Sequence, residues 1–526
     1  SMSSLTALVS SAGKLFYIMD EGPRRSILMP PKWTLTCRDA FNGVTLWKRE
    51  LPSWYPYLWP LKHGPAQLPR RLVAADGKVY LPLGRNKPLS ILDADTGETL
   101  KALSDTVAVE EILVRGDNLL VLDNEKPFDK DFIPRGLEWK LWGETKAQGW
   151  GKALLPEREL KMFDRPTGQL RWQFRSEVAP ISMVMNDKAV CFQTTKHLVC
   201  LDAGAGDGKW RVPHPGRFDF QQPARLLIWQ DVLVCATTYG LTEAFSLKHG
   251  KRLWRHPGQA SGYCCPKDVF VMQDAVWEAA IGRPTWSPHT KNKEDNDQFL
   301  CRDPHTGEVL RRFKPEQKAD AFGHQRCYPG KATQRYYIAS RTGTEFIDLK
   351  TGILRHHNWV RGACLYGIMP ANGLLYATPN PCICYVQSKL NGFNALAATG
   401  DHRPIRDRLV KGPAFTKKLA TRHSPLATSS DWPTFRHDPE RTGATAAALP
   451  EDLTIAWRTP LPGRLSAPTA VQGKVYAAQI HKSTLNALDA DTGKILWRFV
   501  AGGRIDSPPT IAGGRAVFGC RDGKVY

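Results

Sequence analysis

The chain has 526 residues, with 72 Lys+Arg against 51 Asp+Glu and a formal charge of +21. Its 42% hydrophobic, 10% aromatic and 23% charged residues are a globular composition and exclude a disordered or collagen-like chain. No run approaches the roughly 18 consecutive apolar residues of a membrane helix, and Ser1-Met2-Ser3-Ser4 lacks the charged start and apolar core of a signal peptide.

Gly 43 and Pro 39 are high for a helical protein and ordinary for many short strands joined by turns. Twelve cysteines are too few for a small disulfide scaffold and leave the compartment open. The basic excess is dispersed, with no Lys/Arg block. A nucleic-acid partner would need a continuous basic stripe with aromatics, and none is legible.

A repeat runs along the chain. It opens with CRDAFNGVTLW (Cys37 to Trp47) and continues with LDADTGETL (Leu92 to Leu100) and FDRPTGQLRW (Phe163 to Trp172). A looser copy, LDAGAGDGKW (Leu201 to Trp210), precedes FSLKHGKRLW (Phe245 to Trp254) and CRDPHTGEVL (Cys301 to Leu310). IDLKTGIL (Ile347 to Leu354), the weak LNGFNALAATG (Leu390 to Gly400) and LDADTGKILW (Leu488 to Trp497) complete the series. The turn glycines are read as Gly43, Gly97, Gly168, Gly208, Gly250, Gly307, Gly352, Gly400 and Gly493. From Gly43 to Gly400 they recur on average about every 51 residues, the scale of a propeller blade, and Gly493 follows close to two periods later.

Each unit has a physical reading. In Asp-x-x-Thr-Gly the Asp and Thr side chains can bond nearby backbone N–H groups, and Gly accepts positive φ. Alternating apolar residues on both sides make the turn a link between antiparallel strands, with another hairpin upstream. Four strands per unit predict an all-β fold, an eight-bladed β-propeller of four-stranded antiparallel blades over residues 1–400. Trp47, Trp172, Trp210, Trp254 and Trp497 fall in the fourth strand and are expected to pack between blades. Insertions from Asn124 to Pro156 and Arg283 to Gln298 read as surface loops. Residues 401–430 read as a linker. Residues 431–526 read as the start of a second propeller, with one full blade and part of the next. The lone strand Leu453 to Pro460 is expected to dock on the eighth unit. The sequence reads as a fragment of a longer protein.

This grammar resembles the quinoprotein-like (PQQ-like) propeller superfamily, a WD40/YVTN-like repeat class. It includes the pyrroloquinoline quinone (PQQ) alcohol dehydrogenases and the lipoprotein propeller of the outer-membrane assembly machine. The segments Phe16 to Trp33, Ser340 to Leu349, Trp359 to Tyr385 and Gly502 to Gly514 resemble large PQQ-like repeat proteins of planctomycete-type bacteria. The resemblance implies an extracytoplasmic location, periplasmic or cell-surface.

For a dehydrogenase it implies carboxylate and amide ligands for Ca²⁺, a catalytic Asp, a Trp beneath the quinone and often a vicinal disulfide. Only Cys264-Cys265 matches the last of these, and no ligand set carries over. Three motif segments gather other chemistry: GHQRCYPGKAT (Gly323 to Thr333), RGACLYG (Arg361 to Gly367) and PCICY (Pro381 to Tyr385). The first two are expected at the inner strands of blades seven and eight, the third on the next strand. His324, Cys327, Cys364, Cys382 and Cys384 could form a soft Zn²⁺ or Cu(I) site. A disulfide such as Cys364–Cys382 and plain buried thiols are the competing readings. Arg326, Lys331 and Arg361 could bind an anion at the channel mouth.

The expected function is a non-catalytic scaffold that binds a protein, peptide or glycan through blade loops and the central channel. The alternative is an oxidoreductase dependent on PQQ with Ca²⁺ or on a soft metal.

Overall fold

The computed structural model describes residues 5–23, 29–55, 67–125, 157–215, 224–237, 239–260, 269–279, 299–313, 328–339, 343–357, 360–363, 366–379, 390, 392–398 and 431–526. Among these residues the regular structure is β-strand with two short 3-10 turns, Leu68–Arg71 and Ile480–Lys482. Among the described residues no helix is long and apolar enough to cross a membrane. The chain divides into two compact units, residues 1–37 with 47–398, and residues 38–46 with 399–526.

Among the described residues ten antiparallel sheets are formed by strands in strict chain order. Eight lie between residues 5 and 397; seven have four strands and the last has three. Two more, of four and two strands, lie between residues 469 and 517. This is the β-propeller architecture, in which each sheet is a blade.

In the first unit the innermost strands stand side by side. Leu5–Ser11 neighbours Val73–Ala75, which neighbours Val109–Arg115; then come Val184–Met185, Arg225–Trp229 and Val269–Met272. Lys331–Ala332 likewise neighbours Ile368–Ala371. The eighth sheet meets the first: Asn372 Nδ2 donates to Ser10 Oγ at 2.8 Å, and Phe393 packs against Tyr17 at 5.2 Å. The apolar core is therefore a series of clusters between successive sheets. Tyr80, Ile91, Leu119 and Phe163 fill one; Leu122, Met162, Val190 and Leu201 fill the next.

The repeated turn works through its Asp. In Asp93 to Gly97, Asp93 Oδ1 accepts the N–H groups of Asp95 and Thr96, both at 2.8 Å, and Gly97 N–H returns to Asp93 O at 2.9 Å. Gly97 sits at φ +77, which a side chain would resist. Hydrogen bonds from the Thr167 hydroxyl and N–H, together with Arg171, hold Asp164 at a pKa of about 2. The structure moves the fourth turn by two residues: Gly206 takes positive φ and closes on Asp202 O at 2.9 Å, while Gly208 opens the strand Gly208–Pro213. The run Ala-Gly-Ala-Gly-Asp-Gly offered three glycines, and the Asp that starts the turn selects the middle one.

Four of these turns are locked by an indole of the preceding blade. Trp47 Nε1 donates to Ala94 O (3.1 Å), Trp172 to Ala203 O (3.0 Å), Trp210 to Leu247 O (2.9 Å) and Trp254 to Pro304 O (2.8 Å). The same indoles lie flat on the turn glycines. A Cβ built on Gly97, Gly206, Gly250 or Gly307 would fall within 2.6–2.7 Å of ring atoms. Lys101 and Arg311 occupy the tryptophan's place in two blades and donate to the carbonyls of Thr167 and Lys350.

In the second unit Trp457 plays this part, with Nε1 on Ala490 O at 2.7 Å and its ring on Gly493. Residues Leu453 to Pro460 carry no strand pairing; they cover this turn by Trp457 and by Thr459, whose Oγ1 donates to Gly493 O at 2.6 Å. Within this unit they lie on the turn between Thr484–Asp489 and Ile495–Val500.

Trp254 is 6% exposed and Trp497 is 40% exposed. Replacing Trp254 by Ala is expected to cost about 3–5 kcal/mol in urea unfolding followed by circular dichroism. Trp497→Ala is expected to cost well under about 1 kcal/mol in the same measurement.

Candidate functional site

The two ends of each sheet differ. At one end the strands are joined by tight turns, such as Ala12-Gly13, Asp76-Gly77 and Asn372-Gly373, with both residues at positive φ. At the other end, second strand connects to third and fourth strand to the next sheet. Here the connections vary widely in length: Asn118–Asp123 is followed in its sheet by Glu157–Asp164, and Ala275–Ala279 by Phe299–Arg302. Of the segments singled out in the sequence, Lys331 and Arg361 are described, and they lie where the chain enters the seventh and eighth sheets. This end is the candidate functional face.

Of the proposed metal and cysteine residues, Cys264, Cys265, His324, Cys327, Cys364, Cys382 and Cys384 lie outside the described residues, as does Arg326. Lys331 begins the first strand of the seventh sheet and is half-buried. Arg361 is buried ahead of the eighth sheet, not on its inner strand, which runs Ile368–Ala371. The second strand there is Leu374–Ala377, so Pro381 to Tyr385 falls beyond it.

Three networks of buried charge line this end of the sheets; the sequence reading missed them. The first surrounds the start of Val109–Arg115. Arg70 Nη1 pairs with Glu111 Oε1 at 3.0 Å, and Glu111 Oε2 accepts Ile181 N–H at 3.2 Å. Burial pushes the Glu111 carboxyl upward, with Arg70 opposing. Arg158 Nε pairs with Glu110 Oε2 at 2.9 Å. Lys161 Nζ bonds Asp123 Oδ2 at 2.8 Å and Glu159 Oε2 at 3.3 Å, and Asp123 Oδ1 also accepts Ala108 N–H at 2.9 Å. Burial disfavours the Lys161 charge, but the hydrogen bond and charge of Asp123 outweigh it, so its pKa rises.

Arg71 is wholly buried on the same side. It donates to the carbonyls of Val109 (2.9 Å), Gly84 (2.9 Å) and Arg85 (2.8 Å), and its guanidinium lies 4.3 Å from the Trp54 ring centre. Burial lowers its pKa to about 9.

The second network is a histidine held by an acid and a thiol. His214 Nε2 lies 2.9 Å from Glu243 Oε2 and 3.7 Å from Cys235 Sγ. Its Nδ1 faces the Gln193 amide at 3.4 Å, and Gln193 Oε1 accepts Ala224 N–H at 3.2 Å. Burial opposes charge on His214, but Cys235 and Glu243 outweigh it and raise its pKa to about 10. Cys235 and Glu243 are partners across Val232–Ala236 and Tyr239–Ser246. Both sulfur and carboxylate address the same ring nitrogen. A nucleophilic triad would need them on opposite nitrogens, so the geometry is that of a proton-sharing clamp.

In the third network Glu278 accepts from Thr242 Oγ1 (3.0 Å) and Arg302 Nε (3.0 Å). Near Arg361, Tyr328 donates its hydroxyl to Gly343 O at 2.8 Å; its pKa is pushed up by burial and by Glu345.

A calcium or quinone pocket asks for several oxygens converging on one point. The carboxylates of these networks instead each face a cation, a histidine or a hydroxyl, and no three described His, Cys, Asp or Glu side chains are grouped to hold a metal. The described residues therefore do not fit a PQQ–Ca²⁺ cage, and no reaction step follows from them. Sequence spacing carried no sign of these networks: His214 and Glu243 lie on different blades, and the residues around each follow no motif.

Residues 156–267 and 440–526 match the family model described as outer membrane protein assembly factor BamB. Over these segments, which span less than half of the chain, it is similar to that family. No curated protein matches the chain. Among solved structures, the computationally designed Ika8 protein is 14% identical, covering 72% of this chain and 93% of its own, with a TM-score of 0.45. BamB from Moraxella catarrhalis is 13% identical, covering 71% and 93%, at 0.40. A europium-containing methanol dehydrogenase is 11% identical, covering 67% and 78%, at 0.38.

His214 gives a pH test. Its folded pKa lies above the free value of about 6.5, so its stabilising contribution is complete below that pH and is lost as pH rises through about 10. The melting temperature of the wild type is expected to fall between these values more steeply than that of His214→Gln. Parallel curves in differential scanning calorimetry would contradict this.

Proposed function

We propose that the chain is a non-catalytic scaffold that binds extended protein segments through the long-connection end of its first unit. The observation that carries this reading is the pairing of buried charge there. Glu110, Glu111, Asp123, Glu243 and Glu278 each hold a basic partner. Charge at this end braces the bases of the connections, and a rigid base with variable loops suits recognition. The likeness of two segments to an outer-membrane assembly factor supports a protein or peptide partner and an extracytoplasmic location.

The test uses the full chain and a library of extended 15-residue peptides, read by fluorescence anisotropy. Binding in the micromolar range is expected. Replacing residues 126–156 with a short Gly-Ser linker is expected to weaken it at least tenfold without lowering the melting temperature. Stoichiometric uptake of PQQ in the presence of Ca²⁺, with no peptide bound, would overturn the scaffold reading in favour of an oxidoreductase.

A further inference from the structure

Two thiols in the fourth sheet face one another. Cys191 lies on Ala189–Gln193 and Cys200 on His197–Asp202, and the antiparallel register makes them direct partners. The phase of the ladder can be read from its ends. Thr194 N–H donates to His197 O at 2.8 Å, and Ala203 N–H donates to Lys188 O at 3.3 Å. Hydrogen-bonded pairs recur every second residue between these marks, which places them at Phe192–Val199 and Val190–Leu201. Cys191–Cys200 falls between them, at a non-hydrogen-bonded pair.

At such pairs the Cα atoms stand about 4.5 Å apart and the side chains approach most closely. A disulfide spans Cα separations of about 4.4–6.8 Å. Cys191 and Cys200 stand opposite one another in this register, and Cys200 Sγ donates to Leu201 O at 3.8 Å. Both are fully buried in one apolar cluster with Leu198, Leu226 and Leu233, and both are free.

We propose that Cys191 and Cys200 form a dithiol–disulfide pair, closed as a cross-strand disulfide when the chain folds in an oxidising environment. This inference is independent of the scaffold reading. With glutathione disulfide as oxidant, one cysteine thiolate attacks a glutathione sulfur, and the S–S bond of glutathione breaks. The second cysteine thiolate then attacks the protein-bound sulfur and expels the other glutathione. Two protein thiols are oxidised, one glutathione disulfide is reduced to two glutathiones, and the thiol protons pass to the departing thiolates. Burial and the neighbouring Cys200 hold the folded Cys191 thiol protonated, so the reaction belongs to folding, before the cluster closes.

Lys196 lies between the two cysteines, so trypsin separates them into peptides 189–196 and 197–209. The full chain is refolded from denaturant in a glutathione redox buffer, alkylated under denaturing conditions and digested. The expected product is the two peptides joined, lost on reduction and absent from Cys191→Val. Cys191→Val/Cys200→Val keeps the cluster apolar and is expected to melt at the same temperature with and without reductant. The oxidised wild type should melt higher than its reduced form. Recovery of both peptides singly alkylated from the folded, oxidant-treated wild type would overturn the proposal.

Discussion

The structure depends on one contact made again and again: an indole from one blade lying on the turn glycine of the next, its N–H on a turn carbonyl. The turn alone is a local device, stable through its Asp and closed by the N–H of its Gly. The indole makes it a joint between blades. It buries a large apolar ring and satisfies a backbone carbonyl that the turn leaves unused. The glycine is required twice, once for positive φ and once because any Cβ would strike the ring. Where Trp is absent, Lys101 and Arg311 keep the polar half of the contact and give up part of the apolar half.

Buried charge is distributed differently. It concentrates at the end of the sheets where connections are long. A buried ion pair gains little net stability, yet removing one partner strands a charge and costs about 3–5 kcal/mol. Asp123, Lys161 and Glu159 therefore act less as a source of stability than as a lock on alternative arrangements. Asp123 and Lys161 join the two strands that flank one long connection, so that connection leaves from a fixed base whatever its own length.

What could be read beforehand was local. The turn aspartates, the glycines and the tryptophan that follows five of them repeat at short range, and short-range pattern survives as text. The all-β architecture followed from that pattern. The fourth turn was misread by two residues because three glycines competed and only the Asp202 cap decides among them. The clamp of His214, Glu243 and Cys235 was invisible, because its members come from different blades and meet only when sheets stack. Cys191 and Cys200 lay in between: they flank Thr-Thr-Lys in a hairpin, and the register was recoverable once both strands were placed. The metal and cysteine cluster expected around His324 and Cys364 falls outside the described residues.

The asymmetry between the two ends of each sheet has a consequence for how such a chain can vary over time. On the turn end, the four-residue step from glycine to tryptophan leaves no room for insertion. One extra residue would send the indole to the opposite face of its strand and unfasten two blades together. On the other end, the distance between paired charges is set by neighbouring strands, so the chain between them can lengthen without disturbing either. Variation is thereby channelled: one side of the molecule is a fixed chassis, and the other is open ground on which new recognition can be tried without renegotiating the fold.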